Sequence, residues 1–590
     1  MKFWKILGAI FSLLIFASLI SPFLKPGFFA GHDTIIHFIY ISKFTDALSQ
    51  GQFPVRWIDW NVPGFNHPVF NFYQPGFFYL FSFYKELGFS NQFSIHSLSL
   101  IIWLASSGFM YLFLRRHFSL FPALLGSILY TFAPYHILDI FVRSAFPEFS
   151  AIAVLPGVFW AIKAAYDSGK GYWYCLLAIF LSLVLIFHPP TLLMFSPIIV
   201  LYIIILSLEN KDKRFFIQSI IALISGLGLT SFFILPAFVE QKYIQTLYLR
   251  EGFYDFKNHF VCLSQLIIPF WDYGTTQVDC TDGISFQVGL MNWFMALAVL
   301  LFLGVKWFKK FKEDLSSIVD FTTTNIDYYL ILLFISFFFI SLYMTTAIAL
   351  PLWENLPYLA YIQYPWRFLI VAVFSSSFLG AFLLSRIKIP PLMLIIYVVS
   401  VLLIILAYGS YLKPIKYLDE TEVDFKTWEF KPGFWQAENF VPEPGYLPKW
   451  TEVLPGPQDR PIKEIGFFIP SEITSSNLNV ATDSATLKSS SLKAHEKSYS
   501  LEINKPSIVQ FYTHFYPGWK LIINRKEVIP SYENMYGFMR VLLEPGKYEA
   551  SIKFQNTPLR SVANLATISF AFVAISFIFL FNKKENGKAL

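Results

Sequence analysis

Apolar runs about 20 residues long, almost free of Asp, Glu, Lys and Arg, recur along this 590-residue chain. A helix rising 1.5 Å per residue needs about that length to cross the ~30 Å hydrocarbon core of a bilayer. Twelve spans are expected, near 4–24, 97–114, 119–138, 149–166, 172–187, 190–208, 215–237, 288–306, 328–350, 367–385, 390–411 and 560–581. Only 14% of the residues are charged and 55% are hydrophobic, whereas a soluble domain carries about 25% charged residues. The fold class is therefore an α-helical polytopic membrane protein. In such a chain the formal net charge of +6 is no sign of nucleic-acid binding; what matters is the side of the membrane on which the basic residues fall.

Threading the spans alternately from a cytoplasmic N-terminus brings the basic connections to one side. They hold Lys2 and Lys5, Arg115 and Arg116, Lys163 and Lys170, Lys211, Lys213 and Arg214, Lys306 to Lys312, Arg386 and Lys388, and Lys583 and Lys584. Cytoplasmic loops are enriched in Lys and Arg, so both termini are expected in the cytoplasm of a multi-pass plasma-membrane protein. The first span can also be read as a signal peptide, but no A-x-A-like site follows it. The other side then receives the first loop (25–96), turns near 139–148 and 188–190, loops 238–287 and 351–366, and segment 412–559.

Segment 412–559 turns to Pro, Gly, Ser and Glu, with a Ser-rich stretch around 474–491. Within it Ser498–Ile503, Ile508–Phe515, Trp519–Ile523, Phe538–Leu543 and Tyr548–Phe554 read as short strands, the last two separated by the turn Glu544-Pro545-Gly546-Lys547. Hairpin-spaced strands of this kind predict a small β-sandwich. The expected division is a membrane domain over 1–411, a β-rich domain outside the cytoplasm over 412–559, and a last span with a basic tail over 560–590. Of three cysteines, Cys175 falls inside a span, where it serves as a small apolar filler. Cys262 and Cys280 share one outer loop, and either a disulfide or two free thiols fits their spacing.

Function in such a chain rests on polar groups, which are costly at membrane depth. The span centres hold almost none. Ionisable residues crowd the outer helix ends and loops: His32, Asp33, His37, Asp139, Arg143, Glu148, His188, Glu240, Glu354 and Arg367. An ion-coupled transporter needs such groups near the midplane, so a reaction centre at the outer face fits better. Asp33, in Gly31-His32-Asp33-Thr34-Ile35-Ile36-His37, is placed to accept a proton from an acceptor hydroxyl; it is equally placed to cap the helix that opens at Thr34. His37 lies four residues on, and with His32 the trio offers a possible divalent-metal set, although no metal site is assigned. The first loop continues through Gly51-Gln52-Phe53-Pro54-Val55-Arg56-Trp57, Asn61 to Gly64, and Asn71-Phe72-Tyr73-Gln74-Pro75-Gly76. Its interleaved aromatic and polar side chains suit either sugar stacking or an interfacial helix pair in the headgroup region.

Gly31-His32-Asp33 after the first span, followed by Gly51 to Trp57, resembles the polytopic GT-C glycosyltransferases, which use polyprenyl-phosphate-linked sugars outside the cytoplasm. Ser144-Ala145-Phe146-Pro147-Glu148-Phe149, His188-Pro189-Pro190 and Tyr364-Pro365-Trp366-Arg367-Phe368 resemble bacterial membrane proteins labelled as related to 6-pyruvoyl-tetrahydropterin synthase, a label that implies no pterin chemistry. Phe515-Tyr516-Pro517-Gly518-Trp519-Lys520, Glu544 to Tyr548 and Thr557-Pro558-Leu559-Arg560 resemble the end of YfhO-like proteins. These resemblances imply an inverting transfer to a glycan, lipid or protein acceptor. Asp33 is the implied general base, and Arg367 and Arg143 the groups that meet the donor phosphate; at helix ends, both arginines equally suit lipid phosphates. His32, His37, Arg56, Asp139, Glu148 and His188 are expected around the acceptor or behind these groups. Glu148 also suits a first-turn helix charge. Many members follow the Asp with Glu, whereas Thr34 stands here, a departure that bears on the base and on any metal. Trp519 reads either as a sugar platform or as a buried core residue. Two rival classes share the topology: a lipid-linked glycan flippase or transporter, and a non-catalytic envelope-assembly protein.

Overall fold

The computed structural model describes residues 17, 20–59, 66–274, 280, 283–284, 286–307, 317–322, 324–414, 416–418, 423–424, 429–430, 444–453, 465–468 and 485–582. The first expected span except its end, the stretch Asn61 to Gly64, most of 474–491, and Lys583 and Lys584 lie outside the described residues.

Continuous apolar sequence yields helices wherever a cap or a proline lets one start. The helix Asn91–Arg115 opens where the Ser90 side chain accepts a hydrogen bond from the Phe93 N–H at 3.2 Å. Thr324 does the same for Asn325–Thr345, and Pro189 and Pro390 each occupy the first position of a helix, where a missing N–H does no harm. Eight helices are long and apolar enough to cross a membrane, and ten segments are if each of two bent pairs counts as one span. The expected count of twelve is thus not reached among the described residues; Gly171–Phe187 is apolar but shorter. Two expected spans, 119–138 and 215–237, are broken. Leu120–Phe132 and Pro134–Phe141 meet at 42°, because Pro134 cannot donate to the preceding turn, and Lys213–Leu229 meets Ser231–Tyr243 at 72°.

The segment Pro365–Ser385 runs through the centre of the bundle, with 89% of its span buried against 17% for the peripheral Pro558–Ser576. It is admitted there by small residues: a Cβ on Gly126 would stand 2.6 Å from the carbonyl oxygen of Ser377, so only glycine lets the two backbones approach. Beside the bundle, Phe28–Phe29 pairs antiparallel with Tyr417–Leu418, tying the start of the first loop to the segment that follows the helix Pro390–Tyr408.

Besides the short pair Val423–Asp424 and Glu429–Phe430, the C-terminal region contains two larger sheets. One has the order Lys526–Val528, Trp519–Ile523, Gly546–Phe554, Glu496–Ile503, Ala485–Lys493; the other has Phe538–Leu543, Ser507–His514, Ile465–Phe468. Alternation along Trp519–Ile523 buries Trp519, Leu521 and Ile523. These pack with Val509, Phe511 and Met539 of the second sheet in one core, so the two sheets face each other as a sandwich does.

The first loop is the seat on which these sheets rest. Gln52 clamps its own turn, its Oε1 accepting from the N–H groups of Arg56 (2.6 Å) and Trp57 (2.8 Å). Trp57, fully buried, then stands edge-on to Trp519 at 5.2 Å, while the Asn66 amide donates to Tyr512 O and accepts from His514 N, as a strand neighbour would. Asp59 bonds the buried Lys497 at 2.9 Å. Gln52, Trp57, Asp59 and Asn66 of the first loop are thus packing elements beneath the sheets, and Trp519 is core rather than a sugar platform.

Candidate active site

Two stretches far apart in sequence meet at one end of the bundle. The backbone N–H groups of His32 and Asp33 donate to the carbonyls of Val142 and Arg143, each at 2.9 Å. The approach is close enough that a Cβ on Gly31 would fall 2.1 Å from Ser144 Oγ and 2.6 Å from Ser144 N. Ser144 itself has a φ of 53°, which turns its carbonyl toward the helix Thr34–Ser49. There His37 Nδ1 donates to Ser144 O at 2.8 Å. A carbonyl only accepts, so Nδ1 carries the proton and Nε2 accepts from Tyr73 OH, also at 2.8 Å. Burial lowers the His37 pKa, opposed by Asp33 and by the Ser144 carbonyl.

Asp33 precedes the helix but its side chain caps nothing, which removes the capping reading. Its carboxylate makes no hydrogen bond or ion pair to a described residue, yet its charge acts on His32, His37, Asp139, Arg143 and Tyr273. His32 is exposed, its ring edge-on to Tyr273 at 4.6 Å. With both nitrogens of His37 engaged within the fold, a His32–Asp33–His37 metal set does not form, and among the described residues no three His, Cys, Asp or Glu converge on a metal position.

Behind Asp33 stands a buried ion cluster. Arg143 donates through Nη1 to Asp139 Oδ1 and, at 2.9 Å, to Glu148 Oε2. Arg367 donates through Nε to the same Glu148 oxygen at 3.0 Å and through Nη1 to Ile362 O at 2.7 Å. Tyr135 OH donates to Glu148 Oε1 at 2.7 Å, and His188 Nε2 lies 4.0 Å from Glu148 Oε2 while its Nδ1 meets Thr191 Oγ1. The formal charges of the two arginines and two carboxylates cancel. What remains on offer is directional: Nη2 of both arginines, and Nε of Arg143, bond no described residue. Aromatic faces fix the guanidinium groups, Arg143 lying 4.4 Å over Trp366 and Arg367 4.8 Å over Tyr364.

Asp33, His37, Asp139, Arg143, Glu148, His188 and Arg367 are thus brought to one region. Arg56 is not. It donates to Asn71 Oδ1 (2.9 Å) and Phe232 O (2.8 Å) in a second cluster centred on Glu240 and Arg560. There burial, then the Arg560 charge, push its pKa down to about 10 against the pull of Glu240. Sequence reading passed over Tyr135 and Trp366. Tyr135 stands four residues before Asp139, one turn away on the same helical face, and Trp366 adjoins Arg367; that spacing was the available signal. The loop cysteines Cys262 and Cys280 are joined in a disulfide, their Cα atoms 6.1 Å apart.

The family model described as a 6-pyruvoyl-tetrahydropterin synthase related domain, membrane protein, matches residues 70–414. No curated protein matches the chain in sequence. Among solved structures, the cryo-EM structure of the arabinofuranosyltransferase AftD from Mycobacteria is similar over 70% of this chain at 14% identity, with a TM-score of 0.41. This chain covers 27% of that protein's length.

Proposed function

Since the chain belongs to the 6-pyruvoyl-tetrahydropterin synthase related family of membrane proteins, we propose that it works there as an inverting glycosyltransferase of the GT-C type. It moves a sugar from a polyprenyl-phosphate donor to a cell-envelope glycan, lipid or protein acceptor at the outer membrane face. The observation that carries this reading is the state of Asp33: a carboxylate held by its backbone against Arg143, free of hydrogen bonds to described residues, and facing the cluster from outside. It accepts the proton of the acceptor hydroxyl as that oxygen attacks the anomeric carbon. The bond from that carbon to the phosphate oxygen breaks on the opposite side, and polyprenyl phosphate departs with the electron pair. The unspent N–H groups of Arg143 and Arg367 meet the phosphate oxygens, and Glu148 and Tyr135 hold those arginines in place. His37 and His188 position the loop and Glu148. Residues 1–411 form the catalytic body, 412–559 the outer domain, and 560–590 its return to the cytoplasm. The test is incorporation of radiolabelled sugar from a panel of polyprenyl-phosphate sugars, comparing wild type with Asp33→Asn. Transfer that collapses in the folded variant is expected; equal transfer by both would remove Asp33 from the mechanism.

A further inference from the structure

Between the Glu240–Leu249 turns and the segment that leads into the C-terminal sheets lies a cavity of about 460 Å³, inside the range of about 300–1,000 Å³ typical of small-ligand clefts. Its walls are joined as in a sheet. Gln245 N donates to Leu447 O, Lys449 N donates to Tyr243 O, and Ile244 bridges Pro448. Lys242, Gln245, Thr246, Tyr248, Lys449 and Thr451 line it. The two ammonium groups lie over one ring, Lys242 Nζ at 5.2 Å and Lys449 Nζ at 5.7 Å from the centre of Tyr243, and Lys449 also lies 5.1 Å over Trp450. Neither lysine has a carboxylate partner among the described residues; Glu251 and Glu452, near in sequence, bond neither. Arg250 adds a third positive charge, its guanidinium 5.5 Å over Tyr361 and likewise without a carboxylate among the described residues.

One loop connects this cavity to the candidate active site. Tyr361 OH donates to Gln241 Oε1 at 2.8 Å, Gln363 donates to Leu249 O at 3.1 Å, and Arg367 donates to Ile362 O between them. We propose that the cavity is an acceptor subsite for an anionic glycan, a saccharide bearing carboxylate or phosphate groups, which Lys242 and Lys449 hold while its far end reaches Asp33. The proposal rests on the glycosyltransferase reading above. The hydroxyl and amide groups of Gln245, Thr246, Tyr248 and Thr451 beside aromatic faces suit sugar rings, and Ile244 and Leu247 complete the lining. Two cations without carboxylate partners among the described residues select acid-bearing sugars over neutral ones.

The test is direct binding to the purified full-length protein, with oligogalacturonates and short poly(glycerol phosphate) as anionic probes and methyl-esterified oligogalacturonate as the neutral control. At least one anionic probe is expected to bind about tenfold more tightly than the ester, and Lys242→Gln with Lys449→Gln to remove that margin. Replacing both lysines by arginine restores it. Anion preference is read by binding and transfer by turnover, so loss of transfer in Asp33→Asn leaves the subsite standing, and loss of anion preference in the lysine variants leaves the transfer reading standing. Equal binding of acid and ester, or an unchanged preference in the double glutamine variant, overturns the proposal. Lysine-dependent binding of phosphatidylglycerol vesicles with no binding of any glycan overturns it in favour of a lipid headgroup.

Discussion

Glu148 and Arg367, 219 residues apart in the chain, meet at 3.0 Å through Arg367 Nε and Glu148 Oε2, the same oxygen that receives Arg143. One carboxylate therefore sets the position of both cations. Glu148→Gln leaves the two arginines buried without that charge. Removing one partner of a buried ion pair costs about 3–5 kcal/mol, so the thermal midpoint in detergent is expected to fall together with transfer activity. Adding Arg367→Gln to this variant should lower stability by less than the sum of the single changes, which a double-mutant cycle reads directly.

Asp33→Asn behaves in the opposite way. Its side chain bonds no described residue, so unfolding should shift by less than about 0.5 kcal/mol. Loss of a general base lowers turnover by about 10²–10⁴. Thermal melts and initial rates measured on one preparation separate the two effects.

Gly31→Ala tests how closely Asp33 must be held. The added Cβ falls against Ser144 backbone as well as its hydroxyl, and must push His32 and Asp33 away from Val142 and Arg143. Turnover is expected to fall at least tenfold, whereas Gly88→Ala, whose Cβ meets nothing within 4 Å but whose φ is +84°, reports the cost of backbone strain without the clash.

Acid should loosen the C-terminal sheets through His514. Burial first, then His67 and Lys497, lower its pKa to about 3 in the fold, against ~6.5 in the unfolded chain. The unfolded state therefore takes up the proton first. The contribution of the neutral ring is complete above about pH 6.5 and is lost as pH falls below it, at up to about 1.4 kcal/mol per unit. Denaturation midpoints at pH 7.5 and 5 should differ, and His514→Gln should reduce that difference.

The second ion cluster predicts a coupling across the molecule. Arg560 is fully buried and donates to both oxygens of Glu240, at 3.0, 3.1 and 2.9 Å, and to Pro517 O, while Tyr516 and Asn71 donate to the same carboxylate. Glu240→Gln leaves Arg560 uncompensated and should cost about 3–5 kcal/mol, and Glu240→Leu with Arg560→Leu should recover a good part of it. Protease sensitivity between residues 444 and 557 reports whether the sheets have come away from the first loop.

What the sequence disclosed is what depends on local pattern. Apolar length announced the helix Leu290–Trp307 almost to the residue, and alternation marked Trp519–Ile523 with its observed bounds. The family resemblance drawn from Ser144 to Phe149 and Tyr364 to Phe368 is met by the matching family model. Asp139, Arg143, Glu148 and Arg367 were legible as ionisable residues crowded at the outer helix ends while the span centres held almost none. Their partners were not. Which carboxylate Arg367 meets depends on how Pro365–Ser385 threads the bundle centre, and Arg56 reaches the Glu240 cluster only through long-range folding of the first loop. The bend at Ala133–Pro134, hidden in one continuous apolar run, follows from a single missing N–H.

The bond between Glu240 and Arg560 also imposes an order in time. These residues lie 320 positions apart, and at roughly 5–20 residues per second a ribosome needs roughly 15–60 seconds to travel between them. During that interval Glu240 lacks the guanidinium that donates to both its oxygens, and the first loop lacks the sheets that later cover Trp57. Emergence of the helix Pro558–Asn582 delivers Arg560 and completes that contact. The first loop therefore keeps an open face until residue 560 has been made, and a ribosome that stalls between residues 240 and 560 leaves that face uncovered.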